Sequence, residues 1–282
     1  MNSAVTPAPV YEQVIRPRSG WVALDLRELW RYRELFLFLA WRDILVRYKQ
    51  TYIGIAWAFL QPFLTVVVFT VIFGHFAKIP SEGAPYAVMN LAGLIPWMFF
   101  SNAMSESSNS LIASQNMITK IYFPRLIIPA SSTLSGTVDF VISLGMMGAL
   151  MLCYDVAFTA RLLLLPVFFL VAFLAAFGVG LWLSALSVKY RDVKYVVPFF
   201  VRIGLYASPV AFSSSLLPAE WQVWYNLYPV VGVIDGFRWC ILGDAFEPNW
   251  GGFVLGILVV LVTLVSGAFY FRKMERTFAD VI

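Results

Sequence analysis

Residues 47–62 read RYKQTYIGIAWAFLQP, and the change of character inside them decides the fold. Arg47 and Lys49 carry fixed charge, whereas Trp57, Phe59 and Leu60 belong in hydrocarbon. The chain therefore leaves a membrane surface and enters the membrane near residues 51–54. Tyr48, Tyr52 and Trp57 are amphipathic rings that favour the headgroup level. Gly54 lets backbones approach closely there. Gln61 and Pro62 place an amide and a missing N–H inside the run, which predicts a kink beside a protected surface.

Composition agrees. Hydrophobic residues fill 60% of 282 positions and charged residues 13%, against about 25% charged in an ordinary soluble domain. The pI of about 9.1 raises the question of nucleic acid. The basic residues form no single patch, however; they fall between apolar runs, as orientation signals do. The first twenty residues hold Pro7, Pro9 and Pro17 and no apolar core, so they read as a cytoplasmic tail rather than a cleaved signal. Cys153 and Cys240 have no CxxC spacing; packing thiols suit them better than a disulfide.

Upstream of the opening stretch, residues 21–50 read as one amphipathic helix. Leu26, Leu29, Trp30, Leu37, Ala40, Trp41, Ile44 and Tyr48 recur at helical spacing, with Arg27, Arg31, Glu34, Arg42 and Lys49 on another face. Its apolar core is too short to span, so the helix is expected to lie in the interface. Downstream, six runs are compatible with a hydrocarbon core about 30 Å thick: residues 53–76, 87–104, 126–154, 162–187, 195–212 and 252–271. Pro198, Arg202 and Pro209 interrupt the fifth. Between the fifth and sixth, residues 230–242 form an apolar piece containing Asp235 and Arg238, too short to span and suited to a re-entrant helix. The fold class is thus an all-α polytopic membrane protein with an interfacial helix, six transmembrane helices, and short re-entrant or gate helices before the last. The expected organisation is a tail at 1–20, the interfacial helix at 21–50, a transmembrane domain at 51–272 and a tail at 273–282. Sixteen Lys or Arg fall on the side of the termini and three on the other, which puts both termini in the cytoplasm.

Some chemistry is missing from the sequence. No lysine has the Gly-before, Ser/Thr-after setting of a P-loop, so ATP is not bound by that route. His75 is a lone histidine at a span end. Asp139 is the only acid well inside a span, thin support for a proton relay. Two loops stand out. SQNMITKIYFPRLIIP, between the second and third spans, presents Met117, Ile118 and Ile121 as a small apolar face: either a plain connecting turn or a helix that docks into a soluble partner. SVKYRDVKYVVPF, between the fourth and fifth, sets Arg191 and Asp192 among tyrosines, for which a surface ion pair is the simpler account.

Taken in order, RYKQTYIGIAWAFLQP, FPRLIIP, KYRDVKYVVPF, SPV and VIDGFRW resemble the membrane subunit of ABC-2 type exporters, in the branch that exports polysaccharides and polyol phosphates such as O-antigen, capsule and teichoic acid. The likeness runs from about residue 21 to the C-terminus. The chain departs from it with Ile53 where the family often has Leu before Gly, and with Tyr228 where it often has Asn before Pro. The resemblance implies a homodimer in the bacterial cytoplasmic membrane, joined by two copies of a separate ATP-binding subunit that holds ATP and Mg, with no cofactor in this chain and no nucleic acid. It implies that Met117, Ile118, Thr119 and Lys120 form the coupling helix, and that residues 216–225 and 230–242 form external gate helices. The cargo it implies is a polymer on a polyprenyl pyrophosphate lipid.

Tyr52, Trp57, Gln61, Phe99, Asn102 and Tyr206 supply the aromatic faces and hydrogen-bonding groups that bind sugars, although packing or lipid contact would use the same residues. Arg202, inside the fifth run, either faces a wet channel, a partner or the lipid pyrophosphate, or snorkels to an interface. Asp235 and Arg238 lie three apart, placed to pair on one helical face, either as a local ion pair at the membrane surface or as a pair that holds a gate closed. The rival readings are a membrane-embedded lipid-modifying enzyme, for which Ser131, Ser132, Asp139 and Arg202 form no reactive constellation, and a permease for lipids or drugs.

Overall fold

The computed structural model describes residues 26–49, 54–275 and 278. Tyr52 and the expected N-terminal tail lie outside them. The described part begins with α1 (Leu26–Arg31) and α2 (Arg33–Lys49), separated only by a turn at Tyr32. Trp30, Leu37, Phe38, Trp41 and Val46 point outward and are each more than half exposed, while Leu39 and Ala40 are buried. An outward apolar face on a helix this short is what an interfacial position requires.

The first crossing is α3 (Gly54–Phe69), which continues as a π-helical turn over Thr70–Phe76. Pro62 sits inside α3 rather than ending it; the change of helix geometry comes later, where Ala77 N–H donates to the Ile72 carbonyl at 2.8 Å. Next come α4 (Tyr86–Ala113) and the single turn α5 (Gln115–Ile118). Two helices, α6 (Ile127–Ser135) and α7 (Thr137–Cys153), meet at Gly136 and act as one crossing. A short 3-10 segment, Ala160–Leu164, leads into α8 (Leu165–Lys189). Then follow α9 (Val193–Ala207), α10 (Ala219–Asn226), α11 (Pro229–Leu242) and α12 (Trp250–Glu275).

Helices are the expected answer, because lipid leaves a backbone no other way to satisfy its polar groups except a closed barrel. Among the described residues, five helical segments are long and apolar enough to cross. The fifth expected crossing, residues 195–212, forms the 15-residue α9 instead, which is about 22 Å long at 1.5 Å per residue. It stops because Ser208 precedes Pro209 and takes extended backbone, with ψ at 155°.

The long α4 is the axis of the bundle. It is buried almost throughout and packs against α3, α6, α7, α8, α9 and α11. Ala92, Gly93, Ser101, Ala103, Ser107 and Ser108 keep it thin, which in lipid is what lets helices associate. The crossing of α8 with α12 is closer still. A Cβ on Gly178 would stand 2.9 Å from the Leu264 backbone nitrogen, and backbone cannot yield as a side-chain tip can. Gly178→Val is therefore expected to lower stability by about 1–3 kcal/mol, read as a fall in the thermal unfolding midpoint of the purified protein.

The apolar interior forms two bodies. The larger one joins α4, α7, α8 and α11 through residues such as Phe99, Phe140, Phe168, Ile234 and Phe237. The smaller one lies at the other end of α4, α8 and α12 and contains Leu111, Ile118, Phe123, Leu181, Val188, Phe271 and Phe278.

Candidate functional site

Where the end of α2 meets α3, α4 and α7, they leave a cavity of about 380 Å³. Trp57 and Gln61 reach it from α3, Phe99 and Asn102 from α4, and Phe140 and Ser143 from α7. Phe99 is buried and stacks edge-on to Phe140 at 5.8 Å, so this wall is rigid. Trp57 is 54% exposed, so the opposite wall opens outward. The cavity thus gathers four of the residues picked out for sugar contact: Trp57, Gln61, Phe99 and Asn102. Arg202 and Tyr206 are not among its lining; both are exposed on α9.

Sequence reasoning passed over the charged end of this cavity. An Arg47 guanidinium nitrogen lies 2.7 Å from an Asp139 carboxylate oxygen, and the Tyr48 hydroxyl donates to the other oxygen. The signal was present: an acid inside a span needs a partner, and Asp139 lies well inside the 126–154 run. What the sequence does not contain is the fold that brings residue 47 beside residue 139.

The expected coupling residues divide in two. Ile118 is only 5% exposed and belongs to the smaller core, with Met117 packed against it. Thr119 and Lys120 face outward, and so do Gln115, Asn116, Ile121 and Tyr122. The expectation that Ile118 presents an apolar face outward is corrected: its side chain points inward, and Ile121 and Tyr122 provide the exposed apolar surface. The turn is anchored, since the Arg125 backbone N–H donates to a Glu275 carboxylate oxygen at 3.1 Å and its guanidinium to the Glu275 carbonyl. In the next loop, Lys189 and Lys194 lie over the rings of Tyr190 and Tyr195 at 5.0 and 4.8 Å.

The expected pair on α11 is also corrected. Asp235 and Arg238 do not bond to each other. Asp235 accepts a hydrogen bond from the Ser214 hydroxyl at 2.7 Å. Arg238, fully buried, spends its fork on backbone carbonyls: Phe212 at 2.9 Å, Val210 at 3.1 Å and Met89 at 3.4 Å. The turn after α9 needs this. Its carbonyls face the interior, where Asn90 also donates to Val210 at 3.2 Å and Tyr86 to Ala211 at 2.6 Å. Tyr225, on α10, donates to the Ala207 carbonyl at 2.9 Å, which ties α10 to the end of α9. Burial pushes the Asp235 carboxyl up to about 6, opposed by the Arg238 charge and by the Ser214 hydrogen bond. At the start of α11, Tyr228 is extended before Pro229, and the Asn226 amide donates to the Gln222 carbonyl rather than across the junction.

Residues 34–242 match the family model described as ABC-2 type transporter. The chain belongs to that family. This ABC-2 chain is 27% identical over 263 residues to the O-antigen export system permease protein RfbA of Myxococcus xanthus, covering 91% of this chain and 98% of the relative. It is 23% identical over 245 residues to the polysialic acid transport protein KpsM of Escherichia coli, covering 85% and 92%. The inner membrane transport permease YadH of Escherichia coli K12 is 27% identical over 222 residues, covering 75% and 83%. As a member of the family, the chain is a multi-pass membrane protein similar to transport permeases, as its long apolar helices require.

Proposed function

We propose that this chain is the transmembrane subunit of an ATP-driven exporter that moves a lipid-linked polysaccharide, of O-antigen or capsule type, across the bacterial cytoplasmic membrane. The observation that carries the reading is the near full-length likeness to a protein named an O-antigen export system permease and to one named a polysialic acid transport protein. The cavity supports it. Aromatic faces beside amides, with a charged group at one end, suit a sugar joined to an anion better than they suit a purely apolar cargo.

The active form is a homodimer with two copies of a separate ATP-binding subunit, which supplies ATP and Mg. The exposed apolar rows of α3 (Phe59, Phe63 and Val67) and of α9 (Phe199, Phe200 and Ile203) offer surface for a second copy. The ATP-binding subunit meets the turn around Thr119 and Lys120, with Ile121 and Tyr122 as its apolar contacts and both termini on the same, cytoplasmic, side. Asp235, Arg238 and the short helices α10 and α11 close the external end.

Deleting the gene in its own host should abolish the surface glycan while the lipid-linked polymer accumulates inside the cell. Extracting surface and cytoplasmic glycan from the two strains checks this. Unchanged surface glycan, with loss of a lipid or drug from the medium, would return the chain to the broader permease class.

A further inference from the structure

The Arg47 guanidinium is only half used. One terminal nitrogen pairs with Asp139 at 2.7 Å, while the other, Nη1, is buried and has no hydrogen-bond partner. Folded proteins seldom leave a buried charged donor empty, because it has lost its water and gained nothing. The orphan belongs to a residue that lines the 380 Å³ cavity, and Trp57, Gln61 and Asn102 line the same space. A planar fork with free N–H groups is matched to phosphate oxygens, which it can hold in pairs. Asp139 is an anion already sitting where such a ligand would sit. The Tyr48 hydroxyl donates to it, so Asp139 keeps a partner if Arg47 turns away.

We propose that Arg47 is the phosphate-recognition residue of the cavity, and that Asp139 is its internal stand-in, displaced from the fork when a sugar-linked phosphoester arrives. The inference rests on the export reading for the source of that phosphate, a polyprenyl lipid. Cavities of about 300–1,000 Å³ hold small molecules, so this one takes the linkage end of a glycan, the phosphate and the first sugar, and not the polymer. Trp57 supplies a ring face for that sugar, and Gln61 and Asn102 supply hydrogen-bond partners. Arg202, exposed on α9 and outside the lining, does not take this part.

The two members of the ion pair then have opposite effects on binding. The test uses the complex with its ATP-binding subunit in nanodiscs, without nucleotide, and measures equilibrium retention of radiolabelled polyprenyl monophosphate. Arg47→Gln should weaken binding at least about tenfold, the loss of one charge-assisted hydrogen bond. Arg47→Lys, a point charge without the fork, should fall between. Asp139→Asn, which removes the competing anion, should tighten binding by about threefold or more. A purely structural ion pair predicts the reverse for the last variant, since both halves would then weaken binding alike; that result, or no change in either variant, overturns the proposal. A second arm adds inorganic pyrophosphate to the solution. Weak competition supports a lipid-borne phosphate, and competition at equal affinity overturns the lipid source. Should Arg47→Gln fail to fold, the sign of the Asp139→Asn effect decides alone. Binding is read without transport, so its failure leaves the export reading standing. Unchanged surface glycan in the deletion strain removes that reading whatever the binding shows.

Discussion

Arg238→Met is expected to be among the most damaging single changes in this protein, costing about 3–5 kcal/mol. The replacement fills similar space but takes away three donations at once, to Met89, Val210 and Phe212. The Val210 carbonyl keeps the Asn90 amide, but an interior carbonyl that loses its side-chain donor, as at Phe212, carries a desolvation cost of about 1–3 kcal/mol. It also leaves the buried Asp235 without its nearest cation. Arg238→Lys should recover only part of the loss, because a single ammonium cannot hold two carbonyls in a plane. The measurement is the unfolding midpoint in detergent, paired with small-solute permeability of cells at equal protein level. A wild-type midpoint and tight membranes in Arg238→Met would remove the clamp role.

Asp235 behaves differently. Its carboxyl titrates at about 6 in the fold and at an ordinary 3.8 when free. The folded state therefore holds the proton more strongly. The stabilisation this gives is complete below pH about 4 and is lost as pH rises through about 6. Asp235→Asn still accepts from Ser214 and carries no charge to bury, so it should fold well and flatten stability across that interval.

The second large effect is at Ile118. Placing a carboxylate at a 5% exposed position of the smaller core buries a charge with no partner, a cost of several kcal/mol. Ile118→Asp is expected to abolish accumulation of folded protein. Lys120→Glu and Tyr122→Asp, on the outward side of the same turn, should leave the unfolding midpoint within about 0.5 kcal/mol of wild type and weaken association with the ATP-binding subunit. Expression level, midpoint and co-purification separate these outcomes. Normal folding of Ile118→Asp would show that this side chain is not packed inward.

This contrast shows what was legible in the sequence. Hydropathy alone located the long helices, because a run such as that of α8 or α12 has one physical solution in lipid. It also picked out Trp57, Gln61, Phe99 and Asn102 as a mixture of ring faces and amides near span surfaces, and these four line one cavity. It could not say which side of a four-residue turn faces inward: Met117, Ile118 and Ile121 are all apolar, and only burial in the smaller core, which takes in Ile118 and leaves Ile121 exposed, distinguishes them. It extended the fifth run to residue 212, because composition stays apolar past Ala207 while the backbone is stopped by Ser208 and Pro209. And spacing proposed that Asp235 and Arg238 pair, when the stronger demand on Arg238 comes from carbonyls more than twenty residues away, which no local pattern encodes.

The division of the interior into two bodies has a mechanical consequence. The outward turn at Thr119 and Lys120 is attached to the smaller body, through Ile118, and to the end of α12, through Arg125 and Glu275. The larger body, with the cavity wall of Phe99 and Phe140, lies further along the same α4 and α8. A push on the turn therefore does not dissipate in a loose loop. It is delivered to a stiff block at one end of two long rods, and the rods carry it to the cavity as a tilt.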